Sequence, residues 1–208
     1  MEIIDIFLHL DKYLDILVQS YGNWVYLILF FVIFSETGFV ITPFLPGDSL
    51  LFIVGILSSA KILNIYIVYP LLMLAAITGN IVNYNIGKYL GEKILKNNYK
   101  IPFLTKENIL KTKEFYNKHG GKAIVLSRFL PFFRTFVPFV AGIGNMDSKR
   151  FNFYNILGAF LWSSLFILGG YFFGNIPIIK NNLTIAIYAI ILITILPGII
   201  GYIKHKIK

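Results

Sequence analysis

The sequence predicts an all-α integral membrane protein made of two inverted repeats, each an interfacial helix, a re-entrant helical hairpin and a long transmembrane helix, with one further transmembrane helix at the C-terminus. Three observations lead to this. Of 208 residues, 57% are hydrophobic and 17% aromatic while only 14% are charged, and mean hydropathy is +0.72, a balance outside the soluble globular range. The stretch KAIVLSRFLPFFRTFVPFVAGIGN, residues 122–145, sets two arginines and two prolines inside an apolar, aromatic-rich segment. A guanidinium stays protonated, and taking it out of water costs at least about 2.5–3.5 kcal/mol on insertion scales. Finally, the same order of elements occurs once before residue 90 and again after 105.

In order along the chain, residues 3–18 place Ile3, Phe7, Leu10, Leu14 and Leu17 on one helical face and Glu2, Asp5, Asp11, Lys12 and Asp15 elsewhere. This pattern suits a helix lying in the membrane interface over 1–20. Glu2 and Asp5 stand where a signal peptide carries lysines, so the whole chain is expected in the mature protein. Tyr21-Gly22-Asn23 interrupts the pattern, and Trp24 and Tyr26 sit where an aromatic belt is expected.

The apolar runs Trp24–Phe34 and Leu50–Ala60 are each about half of the ~20 residues that a crossing needs. Between them, Ser35-Glu36-Thr37-Gly38 breaks the first run, and Pro43, Pro46 and Gly47 have the spacing of a tight reversal. Residues 23–60 are therefore expected to form a hairpin that enters and leaves by one face, with Glu36 and Asp48 flanking its turn. Residues 62–87 are long enough to span. Asn80 and Asn83 share a face there, next to Tyr84 and Asn85, and such a face points into the bundle, either lining a cavity or bonding helix to helix.

Lys88, Lys93, Lys96, Lys100, Lys106, Lys111, Lys113, Lys118 and Lys122 crowd the next segment, 88–121, in which the run from Thr105 has helical periodicity and is expected on the membrane surface. Residues 122–146 form the second hairpin. Pro131 and Pro138 remove backbone donors, and broken backbone at membrane depth is stable only where protein or a wet cavity surrounds it. Residues 151–174 and 183–203 then span out and back, which makes one membrane domain over 1–208. Lysines in the middle segment, Lys149, Arg150 and the tail lysines Lys204, Lys206 and Lys208 all fall on one side, which the positive-inside rule makes cytoplasmic, with the N-terminus outside. The net charge of +9 is read as topology and attraction to anionic lipid, not as nucleic-acid binding.

The repeat has some support in residues: Phe52, Gly55, Ile56, Tyr84 and Gly87 recur at one constant offset as Phe139, Gly142, Ile143, Tyr171 and Gly174. Opposed hairpins bring Glu36 and Asp48 toward Arg128 and Arg134. An arginine fork matches phosphate or carboxylate with two parallel hydrogen bonds. Nearby carboxylates titrate and so decide whether the arginines are neutralised internally or free for an anionic substrate. The same charges could equally serve only as ion pairs holding the hairpins together. The chain has no cysteine, and His9, His119 and His205 are scattered, so no metal and no cofactor are expected.

Three blocks carry a resemblance: FSETGFVITPFLPGDSLLFIVGIL, GNIVNYNIGKYLG and FYNKHGGKAIVLSRFLPFFRTFVPFVAGIGNM. They resemble the signature blocks of the DedA family of membrane proteins, which shares its VTT (SNARE-associated) domain with eukaryotic lipid scramblases. The likeness runs from about Tyr21 to Gly174. It implies functional roles for Glu36, Asp48, Arg128 and Arg134, and transbilayer movement of lipids such as polyprenyl (undecaprenyl) phosphate or phosphatidylethanolamine, dependent on a proton gradient or membrane potential. Many members carry Gly-Asp where this chain has Gly79-Asn80, so one acid of the long helix is absent here and coupling rests on Glu36 and Asp48.

The expected function is a lipid flippase with Arg128 and Arg134 on the head group and Glu36 and Asp48 coupling to protons. The alternative is a proton-coupled transporter of a small ion or solute. An enzyme is disfavoured. Ser127-Arg128 resembles the start of a block in membrane lipid phosphatases, but their histidine is replaced by Arg134, and no nucleotide loop or Ser/His/Asp set is present. The expected partners are membrane lipids and protons or another coupling ion.

Overall fold

The computed structural model describes residues 22–39, 47–96, 112, 114, 116–180 and 182, and among them every regular element is helical. The helices are α1 (Trp24–Gly38), α2 (Gly47–Ser59), α3 (Ile65–Lys96), α4 (Lys122–Ser127), α5 (Pro131–Ile143), α6 (Ser148–Ser163), α7 (Gly169–Gly174) and α8 (Pro177–Lys180), with a π-helical turn, Ser164–Leu168, joining α6 to α7. The interfacial helix expected over 1–20, the turn with Pro43 and Pro46, half of the basic segment and the helix expected over 183–203 lie outside the described residues. Two stretches, Ile65–Tyr89 and Ser148–Gly174, are long and apolar enough to cross a membrane. Their outward residues, among them Leu74, Phe153, Ile156, Phe160, Leu165 and Phe172, are exposed and apolar, while Asn80, Asn83, Asn155 and Ser163 are buried. Apolar outer faces over buried polar residues match lipid as the solvent.

Local chemistry sets the helix ends. Asn64 caps α3, its Oδ1 accepting from the Tyr66 N–H at 3.0 Å, and its own N–H donates to the Tyr26 hydroxyl at 2.9 Å. Asp147 caps α6, its carboxylate accepting from the Arg150 N–H at 2.9 Å. In α1 the polar quartet Ser35–Gly38 ends the apolar run but not the helix. The Thr37 hydroxyl donates back to the Ile33 carbonyl at 2.9 Å, so the backbone stays helical while Glu36, Thr37 and Gly38 turn inward and are buried. The long helix likewise runs past the expected end at 87 to Lys96. Lysine, leucine and glutamate are good helix formers, so their charge marks where α3 leaves the apolar layer and not where it stops.

The segment 122–146 is broken at the first of its two prolines and not at the second. Leu130 is extended (φ −117°, ψ 105°) because Pro131 follows it, and Pro131 opens α5. Between α4 and α5 the chain tightens into three-residue turns, with Phe129 N–H to Leu126 carbonyl at 3.1 Å and Leu130 N–H to Ser127 carbonyl at 3.0 Å. Pro138 sits inside α5 without ending it.

The chain forms two compact units. One holds α2, the start of α3 and the residues from Ser164 onward; the other holds Ile28–Leu45 and Pro70–Ser163. Each contains a helix crossing of the same form, made by paired glycines. In the first, a Cβ on Gly55 would lie 2.1 Å from the Ile167 carbonyl oxygen, and one on Gly170 2.0 Å from that of Phe52. In the second, a Cβ on Gly142 would lie 2.1 Å from the Tyr84 carbonyl oxygen, and one on Gly87 2.1 Å from that of Phe139. Backbone touches backbone in both, which only glycine permits. Gly174, one turn after Gly170, packs against Ile56 and the Ser59 hydroxyl. The shared signal is the small-residue pair Gly87/Gly91 and Gly170/Gly174.

Gly142→Ala should therefore lower thermal stability in detergent by about 1–3 kcal/mol or more. Gly144→Ala, where a Cβ meets nothing closer than 3.4 Å, should melt close to wild type.

Candidate functional site

The buried charges and amides lie within the unit of Ile28–Leu45 and Pro70–Ser163. α1 brings in Glu36, the break between α4 and α5 supplies Arg128, the first turn of α5 supplies Arg134, α3 supplies Asn80 and Asn83, and α6 supplies Asn155 and Trp162. Every one of these is buried: Arg128, Asn80, Asn83, Asn155 and Trp162 are 0% exposed, Glu36 1% and Arg134 5%.

The two arginines are held differently. Arg134 Nη1 pairs with Glu36 Oε1 at 2.5 Å, and its Nε donates to the Arg128 carbonyl at 3.1 Å. Its charge is neutralised by a carboxylate. Arg128 has only neutral acceptors: Nη2 donates to Asn155 Oδ1 at 2.7 Å and to the Ala76 carbonyl at 3.2 Å. Its Nε and Nη1 have no hydrogen-bond partner among the described residues. The Asn80 amide lies 3.0 Å from Arg128 Nη2, 3.1 Å from Asn155 Oδ1 and 3.3 Å from the Thr37 carbonyl. An acid at position 80 would thus be a direct counterion for Arg128, and this chain has none there. Asn155 in turn donates from Nδ2 to the Ile77 carbonyl at 3.0 Å.

Both guanidiniums also face the Trp162 ring, Arg128 at 5.8 Å and Arg134 at 5.0 Å from its centroid. A desolvated cation over an indole gains about 2 kcal/mol. Gly158 makes room for the Arg128 stem, since a Cβ there would lie 3.1 Å from its Cδ and 3.2 Å from its Nε.

Of the other residues that the sequence singles out, Asn83 donates from Nδ2 to the Thr37 and Thr135 carbonyls at 3.1 and 2.8 Å, tying α1 and α5 to α3. Tyr84 gives its hydroxyl proton to the Met146 carbonyl and stacks on Phe151 at 4.3 Å, within a packed cluster that includes Ile124 and Val137. Asp48 and Gly47 open α2 in the other unit, where the Asp48 carboxylate suits a helix N-terminus. No group of acids and histidines that would hold a metal occurs among the described residues.

A model of the VTT domain matches residues 45–172 of this chain. Over 207 residues the chain is 52% identical to protein DedA of Escherichia coli strain K12, which covers 98% of this chain and 94% of that protein. The chain belongs to the DedA family. It is also 36% identical over 170 residues to an uncharacterised membrane protein of Mycobacterium leprae (82% of this chain, 76% of the relative) and 33% identical over 154 residues to the inner membrane protein YqjA of E. coli strain K12 (74% and 70%). No solved structure matches it. Like these DedA relatives, it is a membrane protein.

Asn155 and Trp162 are the members of this DedA site that the sequence reading passes over. Asn155 meets the same criterion as Asn80 and Asn83, a polar residue inside a spanning helix, and could have been found by it. Trp162 could not, because it is one aromatic among many.

Removing one partner of a buried ion pair leaves the other charge uncompensated. Glu36→Ala should therefore lower stability by about 3–5 kcal/mol, read by thermal melting in detergent. Glu36→Leu combined with Arg134→Met should recover most of that loss.

Proposed function

We propose that this DedA family protein is a lipid flippase, which moves a phosphate-bearing lipid such as polyprenyl (undecaprenyl) phosphate or a phospholipid across the cell membrane. The observation that carries the reading is Arg128: fully buried, without a carboxylate partner and with Nε and Nη1 unmatched among the described residues. N–H groups of a buried guanidinium that lack an acceptor are donors suited to the oxygens of a phosphate. The lipid tails stay in the apolar phase while the head group is held by Arg128 and Arg134.

Glu36 supplies the coupling. Ionised, it neutralises Arg134; protonated, it releases that arginine to the head group, so that binding and proton movement, or the membrane potential, are linked. Asp48 is the second carboxylate of this scheme. The protein acts without a cofactor and is a transporter, not an enzyme. The basic middle segment and C-terminus are cytoplasmic and the N-terminus is outside.

The architecture in this reading is a pair of inverted repeats with re-entrant hairpins, as in secondary transporters. Two observations support it. Residues 122–146 are a pair of short helices broken at Leu130, and the two units carry matching glycine crossings, α2 on α7 and α5 on α3.

The test is transbilayer movement of labelled polyprenyl phosphate in liposomes holding the purified protein. Wild type should move it, while Arg134→Lys, which keeps the charge and loses the fork, and Glu36→Gln should each slow it by at least about tenfold. A wild type that moves no lipid but uses a pH gradient to carry a small solute would make the protein a proton-coupled solute transporter instead.

A further inference from the structure

The Glu36–Arg134 ion pair joins α1 to α5, and a second link between the same two helices runs through α3. Asn83 gives one amide hydrogen to the Thr37 carbonyl at 3.1 Å and the other to the Thr135 carbonyl at 2.8 Å. Thr37 and Thr135 are the residues that directly follow Glu36 and Arg134. All three of Thr37, Asn83 and Thr135 are buried in one unit. α1 ends at Gly38, so the carbonyls of its last turn lack donors from their own helix, and Asn83 supplies one to Thr37. Oδ1 of Asn83 has no partner among the described residues, so what orients the side chain there is its two hydrogens. One turn before Asn83, on the same face of α3, stands Gly79. A Cβ on Gly79 would collide with the Thr37 hydroxyl oxygen and lie 2.8 Å from the Phe34 carbonyl oxygen and 3.1 Å from the Gly38 nitrogen. α3 therefore meets Thr37 twice, by close contact at Gly79 and by a hydrogen bond at Asn83.

We propose that Gly79 and Asn83 form a dock for Thr37 and are positioning residues of the Glu36–Arg134 pair. They hold the backbones of α1 and α5 in fixed register, so that the pair opens by side-chain rotation to admit a lipid phosphate to Arg134 and closes again without the helices parting. The part played in lipid movement rests on the flippase reading, whereas the positioning does not. A buried ion pair offsets its desolvation only when its geometry is good. A dock that slips therefore devalues the pair itself. Were Asn83 only a tie between helices, losing it and losing the ion pair would be independent events whose effects add.

Thermal melting in detergent of the parent, Asn83→Ala, Glu36→Gln and the double variant separates the two. Each single variant should melt below the parent. In the Asn83→Ala protein, Glu36→Gln should lower the melting temperature by no more than about half of what it does in the parent, because a misplaced pair has less to lose. Asn83→Ser, which keeps one donor, gives the same comparison in a milder form. Gly79→Ala should also shrink the effect of Glu36→Gln, since the Phe34 carbonyl is backbone and cannot swing aside. Thr78→Val is the control on α3: the Thr78 hydroxyl bonds the Leu74 and Ala75 carbonyls of its own helix, and its loss should leave the effect at full size. In liposomes, Asn83→Ala should slow the movement of labelled polyprenyl phosphate by at least about tenfold. Asn83→Asp, which turns oxygens toward two carbonyls, should slow it further.

Losses that simply add in every background, or lipid movement at the parental rate in Asn83→Ala, overturn the proposal. A parent that moves no polyprenyl phosphate overturns the flippase reading instead, and the melting comparison then still decides whether Gly79 and Asn83 position the pair.

Discussion

Two guanidiniums inside an apolar protein have no water to turn to, and the unit around them is arranged to supply what water would. Arg134 receives a carboxylate from α1, Arg128 receives amide and carbonyl oxygens from α3 and α6, and Trp162 offers both an aromatic face. Those groups come from three helices, α1, α3 and α6. The charge therefore specifies how helices are arranged: a slip of α1 or α6 by one residue would rotate Glu36 or Asn155 away and leave a buried cation unmatched. In a membrane protein, where apolar surface has little preference between lipid and protein, such polar demands and close packing decide which helix faces meet.

Close packing is the second half of that statement. At the glycine crossings the chain gives up side chains so that backbones can touch, Gly142 on Tyr84 and Gly87 on Phe139 in one unit, Gly55 on Ile167 and Gly170 on Phe52 in the other. The crossing of α5 on α3 has a direct bearing on the charged site. It joins the helix that carries Arg134 in its first turn to the helix that carries Asn80 and Asn83. Asn83 reinforces the arrangement by bonding the backbone of α1 and α5 at once.

The breaks in the helices are equally consequential. Pro131 forces Leu130 out of helical geometry, and the chain between α4 and α5 turns so that Arg128 points into the unit from the end of one helix while Arg134 does so from the start of the next. The Arg128 carbonyl, released from a regular helix by that turn, accepts from Arg134 Nε at 3.1 Å. The irregular backbone thus gives one arginine an acceptor in addition to placing both.

The sequence by itself determined the class of the protein, the two long apolar helices and the break at Pro131, and it singled out Glu36, Arg128 and Arg134 as charges among apolar residues, because each follows from a local or compositional rule: hydropathy, proline geometry, and the energy of a charge in apolar surroundings. It also marked Asn80 and Asn83 as inward-facing. The tertiary structure alone decided that Glu36 belongs to Arg134, that Arg128 is left to Asn155 and the Ala76 carbonyl, and that Trp162 serves both arginines. The helical continuation through Ser35–Gly38 also needed it, since whether a polar quartet ends a helix depends on what its side chains meet. Pairings of this kind join residues far apart in the chain through the rotation of each helix about its axis and the depth of each crossing, and one-dimensional spacing fixes neither.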